Sequence, residues 1–214
     1  MQNQREIRTI GAEYAPRLRE AGEGAAPSRT IEGYAIVFGR ESELLSDYWD
    51  NYREIIEYGA VTQELLDSSD IKMTIWHNRE RLLARRNKGV GSLEVGIDST
   101  GVWYRFEAPH TPDGETALEL VKRGDLAGSS FIYSTKESEN VRYDKLDDGT
   151  VVRHVIKIGH IYDMTIASDP AYKDTTVNAR EVLAQFEPTP APKSTPAKPN
   201  KAITQRINKI LSNY

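Results

Sequence analysis

The chain has 214 residues, a formal net charge of −4, 38% hydrophobic and 28% charged residues, and no cysteine. That length accommodates one well-buried domain with appendages. The absence of cysteine excludes disulfides, thiolate zinc sites and a cysteine nucleophile, and the negative balance gives no electrostatic footing for nucleic acid, whose binding rests on neutralising phosphates. No apolar run approaches the ~18 residues that span a bilayer. The stretch Met1-Gln2-Asn3-Gln4-Arg5-Glu6 lacks the apolar core of a signal peptide. The expectation is a cytosolic protein with no membrane contact.

Residues 1–29 read as a flexible N-terminal arm, rich in charge and carrying the linker stretch Gly22-Glu23-Gly24-Ala25-Ala26-Pro27-Ser28. Within it, Arg5-Glu6-Ile7-Arg8-Thr9-Ile10 fits a short added strand as well as a loose arm. The globular part runs from residue 30 to residue 180. Ile31–Phe38 is dense in β-branched and aromatic residues, a strand signal. Ala60–Leu66 predicts a helix, with Val61 and Leu65 one turn apart. Lys72–Trp76 alternates as a strand that ends at His77, with Arg85 and Arg86 in a loop beyond it. Gly91–Ile97 and Val102–Glu107 alternate on either side of Asp98-Ser99-Thr100-Gly101, predicting a hairpin. Asp113 can cap a helix through Ala117, Leu118 and Val121, stopped at Gly124.

The strand Gly128-Ser129-Ser130-Phe131 follows that helix. Asp147-Asp148-Gly149 predicts a second hairpin, and Val151–Ile166 supplies β-rich text with a bend near Gly159. Many short strands with two or three helices predict an α+β, mainly β fold: a small β-barrel with packed helices. After Arg180 the composition changes. Residues 181–200 form a Pro-rich linker that stays extended, and residues 201–214 form a short amphipathic segment with Ile203, Ile207, Ile210 and Leu211 at helical spacing.

Three residue types in these strands suggest chemistry. A hydroxyl nucleophile needs a base, and the base needs a group that fixes its tautomer. Ser130, His77 and Asp163 supply all three. Alternation groups Ser129 with Phe131 and Tyr133, on the face expected to be buried, and Ser130 with Ile132 and Ser134. His160 competes with Asp163 for the third role, but in an unbroken strand positions 160 and 163 face opposite ways, so one of them serves. Asp169, before Pro170, reads as a turn former, and His110 as an exposed loop residue. The spacings of His77 with Glu80, and of His154 with His160 and Asp163, do not match zinc enzymes. No metal and no cofactor are expected.

Taken in order, several segments resemble the prohead maturation proteases of tailed bacteriophages. They are Ile31-Glu32-Gly33-Tyr34-Ala35, Glu57-Tyr58-Gly59-Ala60-Val61, His77-Asn78, Arg123-Gly124-Asp125-Leu126-Ala127-Gly128-Ser129-Ser130-Phe131 and Pro170-Ala171-Tyr172-Lys173-Asp174-Thr175. The resemblance spans roughly Thr30–Arg180 and implies a serine protease domain related in fold to herpesvirus assemblin. It implies a nucleophile second after Gly128, at Ser130, with His77 as base. It places an acidic residue at Asp163, where a longer Glu is associated with the family and where assemblin uses a second histidine. The implied substrates are the major capsid precursor and the scaffold protein or scaffold segment, with self-cleavage and homo-oligomers as further expectations, inside the immature phage head in the bacterial cytoplasm. Two rivals differ in kind. One is a catalytically silent assembly factor on the same fold; the other is an unrelated serine hydrolase, although the chain lacks a Gly-x-Ser-x-Gly elbow.

Overall fold

The computed structural model describes residues 5–10, 12–23, 26–46 and 51–168. Numbered along the chain, the first strands are β1 (Arg5–Ile10), β2 (Arg17–Leu18), β3 (Thr30–Val37), β4 (Leu45–Ser46), β5 (Asn51–Ile56), β6 (Asp70–Ile75) and β7 (Asn78–Asn87). They are followed by β8 (Val90–Gly91), β9 (Leu93–Ile97), β10 (Gly101–Glu107), β11 (Gly128–Ser134), β12 (Val141–Lys145), β13 (Val151–Val155) and β14 (His160–Ala167). The α-helices are α1 (Gln63–Ser68), α2 (Pro112–Arg123) and α3 (Glu137–Asn140). The expected linker over 181–200, the segment 201–214 and the Asp169 turn lie outside the described residues.

The strands form three sheets, ordered β1-β11-β14-β6-β7-β8, β2-β3-β10-β9 and β12-β13-β5-β4. The mainly β, α+β class therefore holds, but the expected barrel does not, because no sheet closes on itself among the described residues. Alternation marks which face of a strand is buried. Whether two sheet edges meet depends on long-range pairing that alternation does not encode.

Local signals explain most elements. The β9–β10 hairpin forms as expected, its turn held by backbone N–H groups of Thr100 and Gly101 donating to the Asp98 carboxylate. The β12–β13 hairpin turns at Gly149, whose φ of 88° suits glycine. Helix α2 is capped two residues earlier than predicted: the Thr111 hydroxyl accepts from Gly114 N–H, Pro112 sits in the first turn, and left-handed Gly124 ends it. The text from Val151 to Ile166 is two strands in different sheets rather than one bent strand, since β13 pairs with β5 and β14 with β6, both in parallel. Arg85 and Arg86 lie in β7, not in a loop, and pair with Asp70 and Asp67. Of the two readings of Arg5–Ile10, the strand is realised: β1 pairs antiparallel with β11 along its length.

The central strands β11, β14 and β6 divide their two faces by chemistry. Phe131 opposes Met164, which opposes Met73, and Ile166 opposes Ile75. These residues join Ile31, Tyr104 and Phe106 in the hydrophobic core. On the other face, Ser130 opposes Thr165, which opposes Thr74, and Asp163 lies two residues from Thr165. A polar row thus crosses the middle of the largest sheet.

Candidate active site

The nucleophile candidate sits mid-strand in β11, whose seven residues are all buried. Ser129 is 1% and Ser130 2% exposed, so both faces of the strand are covered, the Ser129 face as expected and the Ser130 face as well. The two serines separate by face as alternation predicts. Ser129 points into the core, where its hydroxyl pairs with the Tyr104 hydroxyl at 2.8 Å. Gly33 makes room for that contact, since a Cβ there would come within 2.6 Å of the Tyr104 oxygen. Burial pushes the Tyr104 phenol up, so it stays a neutral partner.

Ser130 faces the other way. His77 Nε2 lies 2.8 Å from its Oγ, and His77 Nδ1 lies 2.5 Å from Asp163 Oδ1. The shorter Asp therefore reaches the imidazole. His160 does not take part in this chain of contacts; its ring packs on Tyr162 at 4.3 Å between centroids. Burial raises the Asp163 carboxyl from its ordinary range, while the hydrogen bonds from His77 and Thr74 pull it back down. Of the other spacings considered, His154 bonds Glu57 and approaches Asp144, apart from Asp163. His110 is exposed, as expected, near Glu115.

His77 is placed by an unusual turn. The residues Trp76 and His77 alone connect β6 to β7, because Ile75 pairs directly with Asn78. Their φ values are 55° and 56°. Two positive φ angles in a two-residue hairpin define a type I′ turn, which ordinarily takes Asn-Gly. Here bulky L-residues occupy it, at a cost of roughly 1–3 kcal/mol each. The surroundings hold the turn in place. The His77 backbone N–H donates to Thr165 Oγ1 at 3.0 Å, and Thr165 Oγ1 donates to the Thr74 carbonyl at 2.9 Å. Trp76 N–H donates to the Ile166 carbonyl at 3.2 Å, and the Arg81 guanidinium lies 5.0 Å from the centre of the Trp76 ring.

Thr74 and Thr165 were not singled out from sequence. Thr74 Oγ1 lies 3.2 Å from Asp163 Oδ2, so one threonine steadies the carboxylate and the other the histidine backbone. The available signal is spacing: Thr74 stands two residues before Trp76, and Thr165 two residues after Asp163. A third contact was equally invisible. The Ser130 hydroxyl also lies 2.7 Å from the backbone carbonyl of Arg8 in β1.

A buried hydroxyl, an imidazole and a carboxylate in series form a device for nucleophilic attack with proton transfer. Among the described residues, no cluster of three or more His, Asp or Glu side chains is arranged to hold a metal ion. The family model described as caudovirus prohead serine protease matches residues 16–190 of the chain. No curated protein and no solved structure matches it.

Proposed function

The chain belongs to the caudovirus prohead serine protease family, whose members are serine proteases of phage head maturation, and on that premise we propose that Ser130 is its nucleophile, His77 its general base and Asp163 the carboxylate that orients the base. One observation supports this assignment above the rest: the continuous chain Ser130 Oγ to His77 Nε2 at 2.8 Å and His77 Nδ1 to Asp163 at 2.5 Å. Ser130 Oγ attacks the scissile carbonyl carbon and its proton passes to His77 Nε2. Asp163 accepts from Nδ1–H and stabilises the imidazolium. The imidazolium then protonates the leaving amine, and a water molecule, activated by the same imidazole, hydrolyses the acyl-enzyme.

The substrates in this proposal are the major capsid precursor and the scaffold protein or segment, together with linkers of the protease itself, cleaved inside the immature head in the host cytoplasm. The Pro-rich stretch 181–200 and the segment 201–214 serve as a tether to the assembling shell. Confinement with the substrate raises its effective concentration, so modest intrinsic activity suffices.

Co-expression with the matching capsid precursor and scaffold tests the proposal, with products followed by gel and intact mass. The wild-type chain should process both proteins and Ser130→Ala neither, while Ser129→Ala should retain activity. Processing by Ser130→Ala, or its loss in Ser129→Ala alone with the fold intact, would overturn the assignment. Processing by none of the chains, wild type included, would favour the catalytically silent assembly factor.

A further inference from the structure

Among the described residues, strand β1 is an edge of the six-stranded sheet and pairs with β11 alone. Thr9 lies opposite Ser130 and Arg8 opposite Phe131. The Arg8 carbonyl stands 2.7 Å from Ser130 Oγ, as close as His77 Nε2 at 2.8 Å. The serine hydroxyl has one proton and two acceptors competing for it.

The single serine proton decides what this contact does. If Ser130 donates to His77, Arg8 O faces Oγ at 2.7 Å with no hydrogen between the two oxygens. All the contacts are satisfied when Ser130 donates to Arg8 O and His77 Nε2–H donates to Ser130. The His77–Asp163 pair then holds two protons, the second on Nδ1 or on the carboxylate. An Nε2 that already carries hydrogen cannot take the serine proton. With β1 seated, the geometry is that of a resting site, and Ser130 is 2% exposed.

From these contacts, and resting on the triad assignment above, we propose that β1 occupies the substrate edge of β11 and keeps the site latent, and that a peptide substrate enters by replacing it as an extended strand antiparallel to β11. An exposed sheet edge is a standard receptor for an extended peptide, whose main chain supplies the affinity.

The side chains indicate which peptide fits. Arg8 bonds buried Glu54 at 2.6 and 2.7 Å, and Glu6 bonds Arg153 at 2.9 Å. Departure of β1 takes Arg8 and Glu6, one charge of each sign, out of this cluster. It leaves Glu54 and Glu137 facing Arg153, to which both are bonded. Two carboxylates against one guanidinium favour an incoming strand with a basic side chain in Arg8's position.

The test uses the full chain and a clamp. Arg5 and Ser134 are directly opposed on β1 and β11, and the protein has no cysteine of its own. The double variant Arg5→Cys, Ser134→Cys therefore forms one disulfide, which holds β1 down when oxidised and frees it when reduced. The readout is the rate at which a fluorophosphonate probe labels Ser130. The oxidised form should label at least tenfold more slowly than the reduced form, and Arg8→Ala should label severalfold faster than the wild type. Equal rates in both redox states, or a folded Arg8→Ala variant that labels no faster, would overturn the latent-strand proposal while leaving the triad standing. A wild-type and reduced protein in which Ser130 never labels would instead overturn the triad assignment, and this proposal with it. A synthetic hexapeptide of residues 5–10 should protect Ser130 in the Arg8→Ala variant, and its Arg8→Glu counterpart should protect at least tenfold less well. Equal protection by the two peptides would remove the basic side chain from the proposal.

Discussion

Replacing Thr165 with Val removes one oxygen from a buried position and leaves the shape nearly unchanged. In the wild type that oxygen accepts the His77 N–H at 3.0 Å and donates to the Thr74 carbonyl at 2.9 Å. Thr165 is fully buried, so water cannot substitute. A buried donor without a partner costs about 1–3 kcal/mol. The turn it braces is strained, since Trp76 and His77 both hold positive φ. Without the brace the imidazole relaxes away from Ser130, and a displacement of about 1 Å is worth roughly a hundredfold in rate. Thr165→Val should therefore lose about 2 kcal/mol in urea unfolding and react with a fluorophosphonate about a hundredfold more slowly. Thr165→Ser keeps the hydroxyl and loses one methyl group, about 1 kcal/mol of burial, and should react within a few fold of the wild type. A valine variant with the wild-type urea midpoint and reaction rate would refute the claim that Thr165 positions the histidine.

Other expectations follow from the same geometry. His77→Ala should be as damaging as Ser130→Ala and the double variant no worse, because nucleophile and base act as a unit; Asp163→Asn should retain more activity and His160→Ala nearly all of it, each measured as precursor processing. Trp76→Asn should leave the unfolding midpoint unchanged or raise it, since Asn tolerates the left-handed conformation, whereas β-branched Trp76→Val should lower stability by about 2 kcal/mol. Glu54 is buried between Arg8 and Arg153. Burial alone would raise its carboxyl, but the two guanidinium groups outweigh that and hold it below the ordinary range. Its contribution is thus present above the ordinary carboxylate range and fades as pH falls through the lowered folded value. Glu54→Gln should cost about 3 kcal/mol at neutral pH and less in acid, as urea midpoints across pH would show.

What the sequence carries locally, it carried well. Strand β3, both hairpins and the stop of α2 at Gly124 follow from alternation and turn residues. The separation of Ser129 from Ser130 follows from a two-residue period, which places one against Tyr104 and the other against His77. The Trp76–His77 turn was illegible because its residues contradict the usual Asn-Gly signal, and tertiary hydrogen bonds impose it. Strand β7 is hidden by its charges, Arg79, Glu80, Arg81, Arg85 and Arg86, and by a register shift that buries the consecutive residues Leu83 and Ala84, so no two-residue alternation marks it. The ion cluster was illegible for a different reason. Glu54 meets Arg8 across 46 residues and Arg153 across 99, and no local pattern encodes such a meeting. Open sheets in place of a barrel belong to the same class of long-range fact.

The central claim is that Ser130 is the activated hydroxyl of this chain. Fluorophosphonate labelling followed by peptide mapping tests it without knowledge of the natural substrate. A single adduct on Ser130 in the wild type, absent in His77→Ala and unaffected by Ser129→Ala, is the predicted result. An adduct on Ser129, or equal labelling of Ser130 with and without His77, would contradict it.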